Sequence, residues 1–194
     1  MSLKNNKFLF FIIFFFFVNS AYAKETDVSR LTKYFLDLRN FSISFLQSDG
    51  NEISEGKISV GNKRVRLDYE SPSKIIIILD KDKGMYYNYE LDEDEFFDTR
   101  DTSAKFFFDM FMNVDFFLES EIEIKDNNLI LVKDGINNEK NYKIRIYFEN
   151  KPLMLRKIKL FQEDINITMS FFNHSYNNDF PKKYFKLISP SLFN

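Results

Sequence analysis

Residues 64–69 read Arg64-Val65-Arg66-Leu67-Asp68-Tyr69, with charged and apolar side chains alternating at every step. In an extended chain successive side chains point to opposite faces, so Val65, Leu67 and Tyr69 face one way and Arg64, Arg66 and Asp68 the other. The stretch is a strand with one greasy and one wet face. The same period of two runs through Phe41, Ile43, Phe45 and Gln47, and through Ile122 and Ile124 against Glu121, Glu123 and Lys125. It returns in Tyr142, Ile144, Ile146 and Phe148 against Lys143, Arg145, Tyr147 and Glu149, and in Ile165, Ile167, Met169 and Phe171 against Asn166, Thr168 and Ser170. Half-wet strands belong to antiparallel sheets, because parallel sheets are covered on both faces. Turn signals at Ser48-Asp49-Gly50, Gly61-Asn62, Ser71-Pro72-Ser73, Lys83-Gly84, Asp126-Asn127-Asn128 and Asn150-Lys151-Pro152 part the strands at hairpin-like spacing. With no internal repeat and no long linker, a large antiparallel sheet is expected.

Two segments leave this period. Thr26 or Asp27 is placed to cap a helix whose apolar positions Val28, Leu31, Tyr34, Phe35 and Leu38 recur at helical spacing up to Asn40. Residues 101–118 read DTSAKFFFDMFMNVDFFL, in which Thr102 or Ser103 starts a helix containing Phe106, Phe107, Phe108, Met110, Phe111 and Met112. Only Lys105 and Asp109 interrupt its middle, so it must be covered on more than one side. Two readings follow. The helix plugs a packed core, or it lies across a cavity and keeps one side for an apolar ligand, a role that suits methionine because thioether chains repack around guests of different shape.

The chain opens with Lys4 and Lys7, an apolar run from Phe8 to Val18, and the small-x-small sequence Ala21-Tyr22-Ala23. That is the pattern of a secretory signal peptide cleaved after Ala23. Its 11 apolar residues fall short of the roughly 20 that cross a bilayer as a helix. Residues 24–194 are expected to form a single domain in the periplasm. The absence of cysteine removes disulfides and the lipid-modified N-terminal cysteine of a lipoprotein. Without Lys4 and Lys7, 25 basic groups face 29 acidic ones, a net charge of −4 and too evenly mixed for a nucleic-acid protein.

Catalytic patterns are thin. His174 is the one histidine, and it stands without a Gly-x-Ser-x-Gly elbow or a cysteine nucleophile, so a surface role is expected. Asp80-x-Asp82-x-Gly84 hints at a calcium loop, but its glycine is misplaced and Leu91 stands where the bidentate glutamate belongs. Asp92 to Glu95, four successive carboxylates, could meet a basic partner, but a solvated loop is the expected reading. No enzyme activity, metal or cofactor is expected.

Phe41-x-x-x-Phe45-x-Gln47, Glu55-Gly56, Arg64-Val65-Arg66-Leu67-Asp68-Tyr69-x-x-Pro72, Ile75-Ile76-Ile77, Asp80 and the tyrosine strand Tyr86 to Tyr89 follow one another in an order that resembles the N-terminal half of the LolA family. The likeness runs from the first helix to about residue 112 and continues loosely through Asn173 and Phe185 to Pro190. It implies a mainly β fold, an incomplete antiparallel β-barrel (half-barrel) wrapped around a helical lid and enclosing an apolar cavity for lipoprotein acyl groups. On that likeness Phe45, Val65, Leu67, Tyr69, Ile76, Tyr87, Phe107, Phe108 and Phe111 are the candidate cavity residues. The implied partners are acylated lipoproteins, an inner-membrane lipoprotein-releasing ABC transporter and the outer-membrane acceptor LolB or an equivalent, met by a monomeric carrier.

Such a carrier answers a physical need. A triacylated N-terminus exposes roughly 40 methylenes, and at about 0.8 kcal/mol each its passage through water costs on the order of 30 kcal/mol. The sequence departs from the family at one place. LolA proteins commonly carry an arginine before the strand that here begins at Lys63, where it bonds to the lid and holds it shut. This chain has Val60-Gly61-Asn62-Lys63 instead, so Lys63 or Arg64 is the candidate latch, with solvent the other destination for Arg64. Two alternatives stay open: a LolA-like binder of another lipid or glycolipid, and an RseB-like regulator that senses lipoproteins, although such regulators carry a further domain.

Overall fold

A computed structural model describes residues 27–137, 140–163 and 165–193. The expected signal peptide, its cleavage after Ala23 and the Thr26 cap lie outside them. A helix, α1 (residues 27–37), leads into eleven strands: β1 (Phe41–Ser48), β2 (Ile53–Gly61), β3 (Arg64–Ser71), β4 (Ile75–Leu79), β5 (Lys83–Asn88), β6 (Glu93–Asp98), β7 (Glu121–Lys125), β8 (Asn128–Asn137), β9 (Lys140–Asn150), β10 (Leu153–Gln162) and β11 (Ile165–Ser175). They form one antiparallel sheet in the order β6-β5-β4-β3-β2-β1-β11-β10-β9-β8-β7. Two meanders thus stand back to back, joined where β1 pairs with β11. Edge strands β6 and β7 do not pair, so the sheet stays open, as expected of a half-barrel. The chain between these edges carries a 3-10 turn (Thr99–Asp101), the helix α2 (Ala104–Met112) and a second 3-10 turn (Val114–Phe117). This helical segment therefore runs from one edge of the sheet to the other.

Short-range chemistry sets the register. Asn62 and Lys63 (φ 50° and 57°) and Asp126 and Asn127 (φ 49° and 62°) make two-residue turns in the left-handed region, whose twist matches that of a hairpin. Asn40 at φ 51° separates α1 from β1. In β10 the pairing with β9 slips between Leu155 and Lys157, leaving Arg156 as the extra residue of a bulge. That slip lets Leu155, Ile158 and Leu160 share one face. Gly56 on β2 sits between Phe45 and Tyr69, whose rings meet edge to face at 5.1 Å. A Cβ there would come within 2.2 Å of Asp68 O and 2.9 Å of Phe45 Cζ, so only glycine fits.

Several expectations need correction. Asp92 to Glu95 is not simply a loop, because Glu93 to Glu95 belong to edge strand β6, where an exposed ladder position tolerates charge on either face. Ile122 packs against the core, but Ile124, expected beside it, is 61 % exposed near the end of the other edge strand. His174 is half-buried, its Nε2 donating to Leu155 O at 2.9 Å beside Phe41 and Tyr176.

The core lies on one face of the sheet, where Phe41, Ile43, Phe45, Ile58, Val65, Leu67, Ile146, Phe148, Leu160, Met169 and Phe171 pack against side chains of α1, α2 and the second 3-10 turn. The opposite face carries a smaller cluster covered in part by the C-terminal tail. Tyr184 and Phe185 of that tail are held by two strand arginines. Arg66 Nη1 donates to Tyr184 O at 2.7 Å and its guanidinium lies 4.2 Å from the Tyr184 ring centre, while Arg64 Nη1 donates to Phe185 O at 2.9 Å.

Candidate functional site

The space between the sheet's inner face and the helical crossover is the site that sequence and fold both single out. From above, α2 contributes Phe106, Phe108, Met110 and Phe111, all buried, with Phe107 and Met112 partly buried. None of its nine residues is fully exposed, which follows from a sequence that is apolar on nearly every side. Phe35 of α1 is the hub. Its ring stacks on Phe117 at 4.6 Å and meets the edges of Phe111 and Phe148 at 6.0 and 5.9 Å. From below, β9 and β10 present Ile144, Ile146, Ile158 and Leu160, and β11 presents Met169 and Phe171.

The two helices are attached in different ways. Arg30 of α1 donates to Asn150 O at 3.0 Å and to Asn150 Oδ1 at 2.9 Å, and Leu155 N donates to Tyr34 Oη at 3.1 Å. By contrast, no hydrogen bond links α2 to a strand among the described residues. Its Lys105–Asp109 pair, at 2.8 Å, closes within the helix. The polar anchors lie outside it: Thr99 Oγ1 donates to Lys81 O at 3.0 Å before the helix, and Lys133 Nζ donates to Phe116 O at 3.0 Å after it. Apolar contact alone therefore holds α2 down between two fixed ends. Because such contact is non-directional, α2 can lift without stripping a hydrogen bond from the sheet.

None of the buried polar residues among those described is ionisable as an acid or base: they are Ser42, Ser59, Asn88, Thr99, Ser120, Gln162 and Ser189. Burial pushes the Tyr69 phenol up to about 12, partly offset by its hydrogen bond to Gln47, and raises those of Tyr34 and Tyr142 as well, so these hydroxyls stay neutral. The gap between Phe106, Phe107, Met110, Phe116 and the β9–β10 isoleucines and leucine is about 10 Å³, scarcely room for one water.

Of the residues singled out from sequence, Phe45, Val65, Leu67, Tyr69, Phe107, Phe108 and Phe111 all belong to this one cluster or pack against it. Ile76 and Tyr87 do not. They lie with Ile78 and Met85 on the other face, against Leu187 of the tail. The inner positions on their strands are Ile77, which pairs with Leu67, and Tyr86, which pairs with Ile77. Arg64 is no latch on the helices and does not point free into solvent: it ion-pairs with Asp80 at 2.7 Å and holds the tail. Lys63 borders an open groove between α1 and α2 and forms no hydrogen bond or ion pair among the described residues. Missed from sequence were Tyr34 and Phe35 as the bridge between α1 and the sheet, and Ile158 and Leu160 as the floor under α2. The Arg156 bulge breaks the alternation that marks β10.

Among the described residues no helix is long and apolar enough to cross a membrane. No curated protein matches the chain. Among solved structures, an uncharacterized conserved protein from Thermus thermophilus matches with a TM-score of 0.52 and 7 % identity over 83 % of this chain and 96 % of its own, a likeness of fold. MucB in the Pseudomonas aeruginosa MucA/MucB complex matches more loosely, with a TM-score of 0.46 and 11 % identity over 82 % of this chain and 60 % of its own. The family model described as outer membrane lipoprotein carrier protein LolA matches residues 37–188, from the end of α1 through every strand into the tail, and the chain belongs to the LolA family.

Proposed function

We propose that this LolA-like periplasmic protein is a lipoprotein carrier. It takes the acyl chains of lipoproteins between the inner face of the sheet and a lifted α2, receives them from an inner-membrane lipoprotein-releasing ABC transporter, and yields them to an outer-membrane acceptor of the LolB kind. The observation that carries this reading is the attachment of α2, an apolar helix with polar anchors at both ends and, among the described residues, no hydrogen bond to the strands beneath it.

The energetics agree in direction. Lifting α2 bares Phe106, Phe108, Met110 and Phe111, at about 1.5–3 kcal/mol each, or about 6–12 kcal/mol in all. A triacyl anchor returns on the order of 30 kcal/mol on leaving water. Cargo therefore outweighs the docked helix, while the closed form protects the apolar surface between journeys. No bond is made or broken, and the closed–open equilibrium is biased by whatever binds the open form. An acceptor with a better apolar site then draws the cargo off.

Mass spectrometry of material that copurifies with the protein from the periplasm tests this. Triacylated lipoprotein is the expected companion. Phospholipid or glycolipid alone would replace the proposed cargo with another lipid, and acyl-free protein that fails to capture a triacylated peptide in vitro would refute the carrier role.

A further inference from the structure

Beside the cluster that α2 covers, the surface dips into an open trough. A groove of about 600 Å³ lies between the C-terminal ends of α1 and α2 and the turn from β2 to β3. Its floor is made by Phe35, Leu38, Val60 and Phe111, and Leu36, 49 % exposed, stands at its rim. Among the described residues its only charged lining residues are Arg39 and Lys63, and none is acidic. Both cations are exposed, and neither forms an ion pair among the described residues. The neighbouring acids are engaged elsewhere, Asp37 with Lys33 at 2.8 Å and Asp80 with Arg64 at 2.7 Å. Two cations at the mouth of an apolar trough complement a molecule with a greasy tail and a negative head. The volume falls within the roughly 300–1,000 Å³ of sites for single small ligands, too little for a triacyl anchor.

We propose that this groove binds a single-chain amphiphile with an anionic headgroup, its tail along Phe35, Leu38 and Phe111 and its head between Arg39 and Lys63. The groove shares Phe35 and Phe111 with the cluster under α2, and what sets it apart is the pair of cations, Arg39 and Lys63, at its mouth. This site rests on the groove itself and stands whether or not the interior carries lipoproteins.

Calorimetric titration with lysophosphatidylglycerol and with lysophosphatidylcholine of the same chain length, both below micelle formation, tests it. The anionic lysolipid binds roughly tenfold more tightly at low salt, and the preference shrinks as salt screens the exposed cations. Replacing Arg39→Gln or Lys63→Gln costs the anionic probe roughly two- to fivefold each and roughly tenfold together, with less than about a twofold change for the zwitterionic probe. Leu36→Asp, an exposed position where folding is not at stake, abolishes binding of both and so locates the site. Equal affinities for the two lysolipids, binding of neither, or an unchanged preference in the double variant would overturn the proposal. Capture of a triacylated peptide by the same variants is read in parallel, so a failed headgroup preference with intact capture counts against the groove alone.

Discussion

Phe111→Ala probes the lid most sharply. Phe111 is 7 % exposed and packs edge to face on Phe35 at 6.0 Å, so its removal costs the docked form of α2 about 3–5 kcal/mol. Because α2 is bound to the sheet by apolar contact alone, its detachment is a local opening that lies below global unfolding. A loss of about 3 kcal/mol raises the open fraction about a hundredfold. If acyl chains bind the open form, apparent affinity for a triacylated peptide rises by up to the same factor, since it scales with the competent fraction. Native-state hydrogen exchange at several low urea concentrations reads the opening, and peptide titration reads the affinity. In the variant the amides of residues 106–112 should open at about 3 kcal/mol lower free energy with little urea dependence, while those of β1 and β11 keep the steep urea slope of whole-sheet unfolding. If α2 and the central strands exchange with one free energy and one slope, and affinity stays flat or falls, α2 is ordinary core and the lid reasoning fails.

Other consequences concern the frame around the site. Gly56→Ala forces a Cβ to within 2.2 Å of Asp68 O, so its urea midpoint should fall by an amount equivalent to about 1–3 kcal/mol or more; an unchanged midpoint would mean that β2 and β3 are not so closely apposed. Arg66→Met leaves Tyr184 O without its side-chain donor and Asp68 with the Tyr184 hydroxyl in place of its guanidinium partner, costing about 1–3 kcal/mol, and limited proteolysis should then clip the tail after residue 176 before it touches the strands. Burial holds the His174 imidazole below its ordinary value of 6.5, against the opposing effect of its bond to Leu155 O. The unfolded chain therefore takes up the proton first, so stability falls as pH drops below about 6.5, and His174→Gln should flatten that limb of a midpoint-versus-pH curve.

The sheet was legible wherever one strand face is wet. Val65, Leu67, Ile144, Ile146, Met169 and Phe171 point inward as their alternation requires. Legibility ends where the pattern loses contrast. Ile75 to Leu79 is apolar on both faces because the tail's Leu187 helps cover the outer one, so periodicity cannot tell Ile76 from Ile77. Four successive residues of β8, Leu129 to Val132, are all buried and likewise show no alternation. β6 is acidic along its exposed half and reads as loop, although its backbone pairs with β5 from Glu93 to Asp98. The role of Arg64 depended on where residue 185 returns, a contact 121 residues away that no local pattern encodes. The composition of α2 showed that it must be covered, but only its missing hydrogen bonds to the sheet set it apart from α1.

In the proposed carrier, acyl chains displace α2 from the inner face of the sheet. A triacylated peptide with a diazirine near the end of one acyl chain, photolysed in complex with the protein and mapped by mass spectrometry, addresses it directly. Labels are expected on Met110, Ile146, Ile158, Met169 and Phe171, side chains that belong to one buried cluster in the closed form. Labels confined to Ile76, Ile78, Met85 and Tyr87 on the outer face, or to the exposed rim at Leu36 and Lys63, would contradict that displacement.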